Sequence, residues 1–358
     1  MTDFLVIGGG ISGLLTAYYL RQAGESVALL ERGLVGHESS WAGGGIISPL
    51  YPWRYPSAVT QLVQWSQQQF PSLVSDLKKQ TQLDAELIQN GMLILDDSHR
   101  DTALAWGAET RTHIDTIDRE QVLQLEPTLG SAPQTALWMP EVYQVRNPRL
   151  VKALHAYLIK NHVPIHENTE VTAIISENGK VSGVKTGDQE IKCHHVAITC
   201  GAWSSILWPA TKIALPVKPI RGQMLMIHTT PGVIKRMVLS HEHYVIPRQD
   251  GRVLVGSTLE DVGFDKSTTQ FAHDLLLEFA HQLMPVLKDF NVEHHWAGLR
   301  PGTPDNIPRI MEHPALKGLF INAGHFRNGV VTAPASAKLL VNLMLKQTPI
   351  LDAALYCG

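Results

Sequence analysis

The chain has 358 residues, 44% hydrophobic and 18% charged, a balance that builds a sizeable core and excludes a disordered or fibrous protein. A formal net charge of −3 supplies no basic field for nucleic acid, and no apolar run approaches the ~18 residues of a membrane span. Three cysteines, Cys193, Cys200 and Cys357, form no C-x-x-C pair, which argues for reduced thiols and a cytoplasmic setting.

Residues 4–7 are a short apolar run suited to a strand buried on both faces of a parallel sheet. Gly8, Gly10 and Gly13 follow at G-x-G-x-x-G spacing. The first glycine turns the chain, the second lets backbone approach a pyrophosphate, and the third lets the helix pack close to the strand. A helix is expected over 11–23, with Ile11 and Ser12 in its first turn, and Gly24 ends it. A second buried strand, 27–30, delivers Glu31, placed to accept from an adenosine ribose and to repel a 2′-phosphate. This motif alone leaves NAD and FAD open.

Residues 33–50 are small, hydroxylated and glycine-rich, with Ser39, Ser40, Ala42, Gly43, Gly44, Gly45 and Ile46 in one run. That composition wraps a flat ligand more readily than it makes a solvated loop. Trp53, Arg54 and Tyr55 in the next segment read as a lid or a surface loop. A helix is expected over 57–83 with Pro71 near a break, then a strand at 91–96, a helix at 101–112, an Asp118-capped helix and a further helix at 148–161. Asn178 and Gly179 mark a hairpin. The buried run 191–200 ends in Gly201-Ala202-Trp203-Ser204, a second place for backbone to meet a cofactor.

From Pro216 the texture changes. Residues 217–228, 237–248 and 252–258 alternate polar and apolar side chains, as an antiparallel sheet with one face on a cavity or core does. A helix over 268–284 carries Phe271, Leu275, Phe279 and Leu283 at four-residue intervals, read as its core-packing stripe. A last buried strand, 318–324, precedes a turn and a closing helix over 330–345. The opening strand–helix–strand unit and this final strand–turn–helix are expected to share one sheet, with the alternating strands as a second layer.

The stretches VIGGGISG, ER at 31–32, SSWAGGGI, TCGAWS, YVIPR, GLRPGTPD and GHFRNG together resemble the glutathione-reductase-type flavoproteins of the D-amino-acid-oxidase group, most of all the bacterial branch that oxidises glycine and supplies an imine for the thiazole of thiamine. The likeness runs from Asp3 to about Leu345. It implies an α/β (mixed α+β) fold: an FAD-binding Rossmann domain (1–50, 147–215 and 296–358) interleaved with an antiparallel-sheet substrate domain (51–146 and 216–295). It also implies FAD, a small amine or amino acid as substrate, molecular oxygen as acceptor, and a possible homo-oligomer. Carried over residue by residue, Arg300 holds the substrate carboxylate, Tyr244 hydrogen-bonds it, and Arg327 stands near substrate and flavin. The cofactor set becomes Gly8, Gly10, Ile11, Ser12, Gly13, Glu31, Arg32, Ser39, Ser40, Ala42, Gly43, Gly44, Gly45, Ile46, Val171, Cys200, Gly201, Trp203, Arg300, His325, Arg327, Asn328, Gly329 and Val330. The segment just before TPD contains no cysteine and no histidine sits beside Trp41, so the flavin is expected to be non-covalent.

The chemistry of these residues agrees with that reading. A guanidinium offers a planar fork of donors to a carboxylate. With the acid end fixed by Arg300, the α-carbon faces the flavin, hydride transfer to N5 depends mainly on orientation, and no catalytic base is assigned. Two alternatives stay open at this level: a dehydrogenase passing electrons to a quinone, and a flavin-binding subunit without turnover of its own.

Overall fold

The computed structural model describes residues 2–96, 98–208 and 214–358; positions 209–213, close to the end of the 147–215 segment, lie outside the described residues. Two large sheets organise the chain. The first runs, in order, Arg309–Glu312, Leu319–Ala323, Gln189–Ile198, Thr2–Ile7, Val27–Leu30 and Ile165–His166. All neighbours in it are parallel except the first pair. A hairpin, Val171–Glu177 and Lys180–Thr186, extends from its central strand. That hairpin turns at Asn178 and Gly179, both at positive φ, the conformation asparagine and glycine tolerate best. The opening and closing strands are thus joined through Gln189–Ile198, as the sequence pattern leads one to expect.

The second sheet orders Val292–Gly302, Lys218–His228, Arg252–Gly256, His243–Pro247, Met237–Ser240, Met92–Ile94, Thr135–Met139 and Asp115–Asp118. Residues 296–302, assigned from sequence to the nucleotide-binding unit, pair along Lys218–His228 in this antiparallel sheet instead. Conversely, the helix Ser57–Thr81 buries Leu62, Phe70 and Leu77 in the same core as Leu14 and Val341, so it packs on the nucleotide side although it lies in the segment given to the other domain. Pro71 sits inside that helix without ending it. The stretch 237–248 is not one strand. It reverses at His241, whose φ is 54°, to form the hairpin Met237–Ser240/His243–Pro247.

The apolar stripe of the helix Gln270–Leu283 also differs from expectation. Phe271 is 78% exposed and Leu275 38%, whereas Ala272, Leu276 and Ala280 are the buried face. Each step of four residues overshoots a turn by about 40°, so a strict four-residue row spirals around the helix and loses the core within three steps. The Thr269 side chain caps the first turn by accepting from the Ala272 amide. Urea unfolding checks the corrected face: Leu276→Ala should cost about 2–5 kcal/mol, while Phe271→Ala should stay within about 0.5 kcal/mol.

Candidate active site

One long cleft runs along the carboxyl ends of the parallel strands and continues under the antiparallel sheet. Its outer arm, about 1310 Å³ of atom-free space open to solvent, is lined by Gly8, Gly10, Ile11, Ser12, Glu31, Arg32, Ser39, Ser40, Gly43, Val171, Cys200, Gly201, Trp203, Arg300, His325, Arg327, Gly329 and Val330. The inner arm, about 690 Å³, is lined by Ala42, Gly44, Gly45, Ile46, Tyr244 and Asn328 and shares Ser39, Gly43, Arg300, Arg327 and Val330 with the outer one. Every residue of the catalytic and cofactor sets named from sequence therefore lines the cavity except Gly13, whereas Trp53, Arg54 and Tyr55 line neither arm. A Cβ on Gly13 would run into the Gly8 carbonyl and stand 2.6 Å from Thr199 Oγ1, so this glycine acts behind the cleft by letting helix meet strand.

At the outer arm the helix Ile11–Gln22 begins at Gly10 with no side-chain cap, which leaves first-turn amides for an anion; Ser40 Oγ accepts from the Ile11 amide at 2.9 Å. Gly8 (φ 107°) presses against the Thr199 carbonyl, where any side chain would collide. Glu31 accepts from the amides of Gly9 (2.7 Å) and Gly33 (2.9 Å), so its carboxylate is oriented by backbone and retains lone pairs for a ribose. Trp203 closes this end, with Arg32 stacked 3.9 Å over its ring.

The glycine run is held from behind. Asn147 Nδ2 donates to the Gly43 carbonyl, Arg248 Nη2 to that of Gly44, and the Val145 amide to that of Gly45. Arg248 is buried and also donates to Gln144 Oε1 and the Val145 carbonyl; burial, with Arg146 adding to it, pulls its pKa down to about 10. Sequence reasoning read the YVIPR stretch for its tyrosine and passed over this arginine.

Arg300 lies where the arms meet. Nη1 donates to the carbonyls of Thr258 (3.1 Å) and Arg221 (3.4 Å), and Nη2 to Ser257 Oγ (2.8 Å). Among the described residues no carboxylate forms an ion pair with it: Glu260 and Asp265 are both taken by Arg221, and Asp305 by Arg309. Asp305, five residues along the chain from Arg300, is thus accounted for elsewhere. Burial lowers the Arg300 pKa, Tyr244 opposes that shift and Arg327 adds to it; a guanidinium nevertheless stays charged. The space it occupies exists because residue 222 is glycine, since a Cβ there would overlap the guanidinium. A glycine interrupting the alternating run 217–228 was the available signal for this close approach. Tyr244 is 7% exposed, with its hydroxyl 3.7 Å from Met224 Sδ.

The helix Gly329–Met344 points its first turn at the junction, bringing amides and the positive dipole end there. His325 is buried just before it, with Nδ1 2.9 Å from Thr332 Oγ1 and Nε2 2.7 Å from Asn322 Oδ1; burial alone holds its pKa near 4, so the ring is neutral. Arg327 turns its guanidinium to Glu242. The 51–55 segment is a packed 3₁₀ turn rather than a loose loop: Tyr51 and Trp53 are buried, and Tyr51 Oη donates to the His241 carbonyl at 2.6 Å.

An uncapped helix start, an oriented acid one strand away and a glycine wall leading to a second helix start define a dinucleotide flavin site, and the residues present fit FAD. The chain matches the DAO family, described as FAD dependent oxidoreductase, over residues 3–343. It is 43% identical to a glycine oxidase of Pseudomonas putida over 98% of this chain and 97% of that protein. It is 44% identical to a glycine oxidase of Pseudomonas aeruginosa over the same shares. A crystal structure of glycine oxidase from Geobacillus kaustophilus superposes with a TM-score of 0.94 at 26% identity, covering 99% and 97% of the two chains. The chain belongs to this FAD-dependent oxidoreductase family, and its cofactor is FAD. No helix among the described residues is long and apolar enough to cross a membrane.

Gly13→Val tests the close helix–strand contact beneath the cofactor. The side chain would wedge the helix start away from the first strand, so purified protein should carry far less flavin per chain than wild type, read from the visible absorbance; full flavin content would contradict the assignment.

Proposed function

We propose that the protein oxidises glycine and other small amines or D-amino acids to the corresponding imine, which water converts to a keto acid and ammonia, with molecular oxygen as the final acceptor and hydrogen peroxide as its product. Provision of an imine for the thiazole of thiamine is part of this proposal. The single observation that carries it is Arg300: a partly buried guanidinium without a carboxylate partner among the described residues, at the point where the flavin cleft narrows into a small cavity. An unpaired cation in such a place is costly to desolvate, and a substrate carboxylate supplies the missing charge. The likeness to glycine oxidases supports the substrate class.

Bound FAD supplies the two-electron acceptor. The chain's own part is positioning. Arg300 fixes one end of the substrate, with Tyr244 beside it as a hydroxyl donor. The small-residue wall of Gly43, Gly44 and Gly45 leaves room for a flat ring, while Met224, Leu50 and Val331 keep the reacting carbon in apolar surroundings. Orientation of this kind, rather than a proton-taking side chain, is the main contribution. The histidine that lines the cavity among the described residues, His325, is engaged by Thr332 and Asn322, so it is given no role as a base.

Steady-state oxygen consumption with glycine tests the reading. Arg300→Ala should lower kcat/KM by about 30- to 1000-fold, the equivalent of about 2–4 kcal/mol for losing a charge-assisted pair, mostly through KM; an unchanged KM would point to a passive flavin-binding role. Gly222→Ala should reproduce the KM defect without loss of flavin, by more than about tenfold, because its Cβ displaces the Arg300 guanidinium.

A further inference from the structure

The inner arm of the cavity is lined by two charged side chains among the described residues, Arg300 and Arg327, and they are treated differently. Arg300 meets neutral oxygens only. Arg327, whose side chain is 15% exposed, donates from Nη1 to Glu242 Oε2 at 3.0 Å and from Nη2 to the Glu242 carbonyl at 3.4 Å. Glu242 is 64% exposed and lines neither arm, so it holds Arg327 from the outer side. Its other oxygen lies 3.7 Å from Arg54, which is stacked 3.9 Å over the ring of Tyr51. The left-handed turn at His241 puts Glu242 there, two residues ahead of Tyr244.

The cavity therefore presents one guanidinium without an anion and a second already occupied by the chain's own carboxylate. We infer that Glu242 is a specificity-determining residue: by engaging Arg327 and Arg54 it denies both guanidiniums to a second carboxylate, and so selects monocarboxylic over dicarboxylic amines. An anion approaching Arg327 must displace Glu242 or lie against it, and like charges at that separation repel. Glycine, with one carboxylate held by Arg300, escapes this penalty, whereas a substrate with a second acid group on its far side meets it.

The inference rests on the proposed function for its substrate class, but its test needs no turnover. Acetate and malonate are titrated into the holoenzyme and followed by perturbation of the flavin spectrum, for wild type and Glu242→Gln. Glutamine keeps an oxygen that can accept from Arg327 while removing the charge. Glu242→Ser carries the same test if the first variant yields no holoenzyme. Malonate should bind about tenfold tighter to the variant, with acetate changing by less than about twofold. An unchanged malonate-to-acetate ratio would overturn the inference, as would equal weakening of both anions, which would make Glu242 a mere prop for Arg327. Wild-type enzyme reduced by no small amine would remove the proposed function, while the two titrations would still decide this point.

Discussion

A guanidinium that finds no carboxylate among the described residues is the constraint around which this molecule is arranged. Arg300 is held by two carbonyls and one hydroxyl, partners that orient a cation without neutralising it. Keeping it free takes effort elsewhere. Arg221 absorbs the nearby Glu260 and Asp265, Arg309 absorbs Asp305, and glycine at 222 clears the room the guanidinium fills. Together these arrangements leave the Arg300 guanidinium facing the cavity without a carboxylate of its own among the described residues.

The two sheets divide the work. The parallel sheet presents its strand ends to the nucleotide, where the crevice outside the carboxyl ends of strands is the ordinary place for such a ligand. The antiparallel sheet contributes the far wall, through Arg300 and Met224 on paired strands and Tyr244 two strands beyond Met224. What fastens one part to the other is polar and buried. Arg248 reaches from the antiparallel sheet to the carbonyl of Gly44, and Asn147 holds Gly43 from the helix Asn147–Lys160. The glycine wall is therefore held by the chain's own hydrogen bonds, which reduces the ordering cost of binding.

Local features were legible in the sequence because their physics is local. The three glycines and the acid after the second strand stand at a fixed spacing along the chain, and the Asp118 N-cap and the Asn178-Gly179 turn each depend on residues within a few positions of one another. Features that depend on contacts between distant segments were not. Nothing near Arg248 announces the loop it meets across the fold, and the glycine at 222 signals a close approach without saying what approaches. The reversal at His241 lacks the glycine or proline that usually marks one, and the stripe over 271–283 was misplaced because a four-residue row resembles a helical face only briefly. The resemblance to a known family reached Arg300 and Tyr244, but the neighbours that decide whether those side chains are free or occupied became visible only in three dimensions.

The most direct measurement of the central claim is anaerobic reduction of the bound flavin by glycine compared with methylamine, which offers the same amine without the carboxylate. Saturable bleaching is expected with glycine and little or none with methylamine at equal concentration. Bleaching by methylamine as fast as by glycine, or none with glycine, would show that the cation at residue 300 does not govern how substrate meets the cofactor.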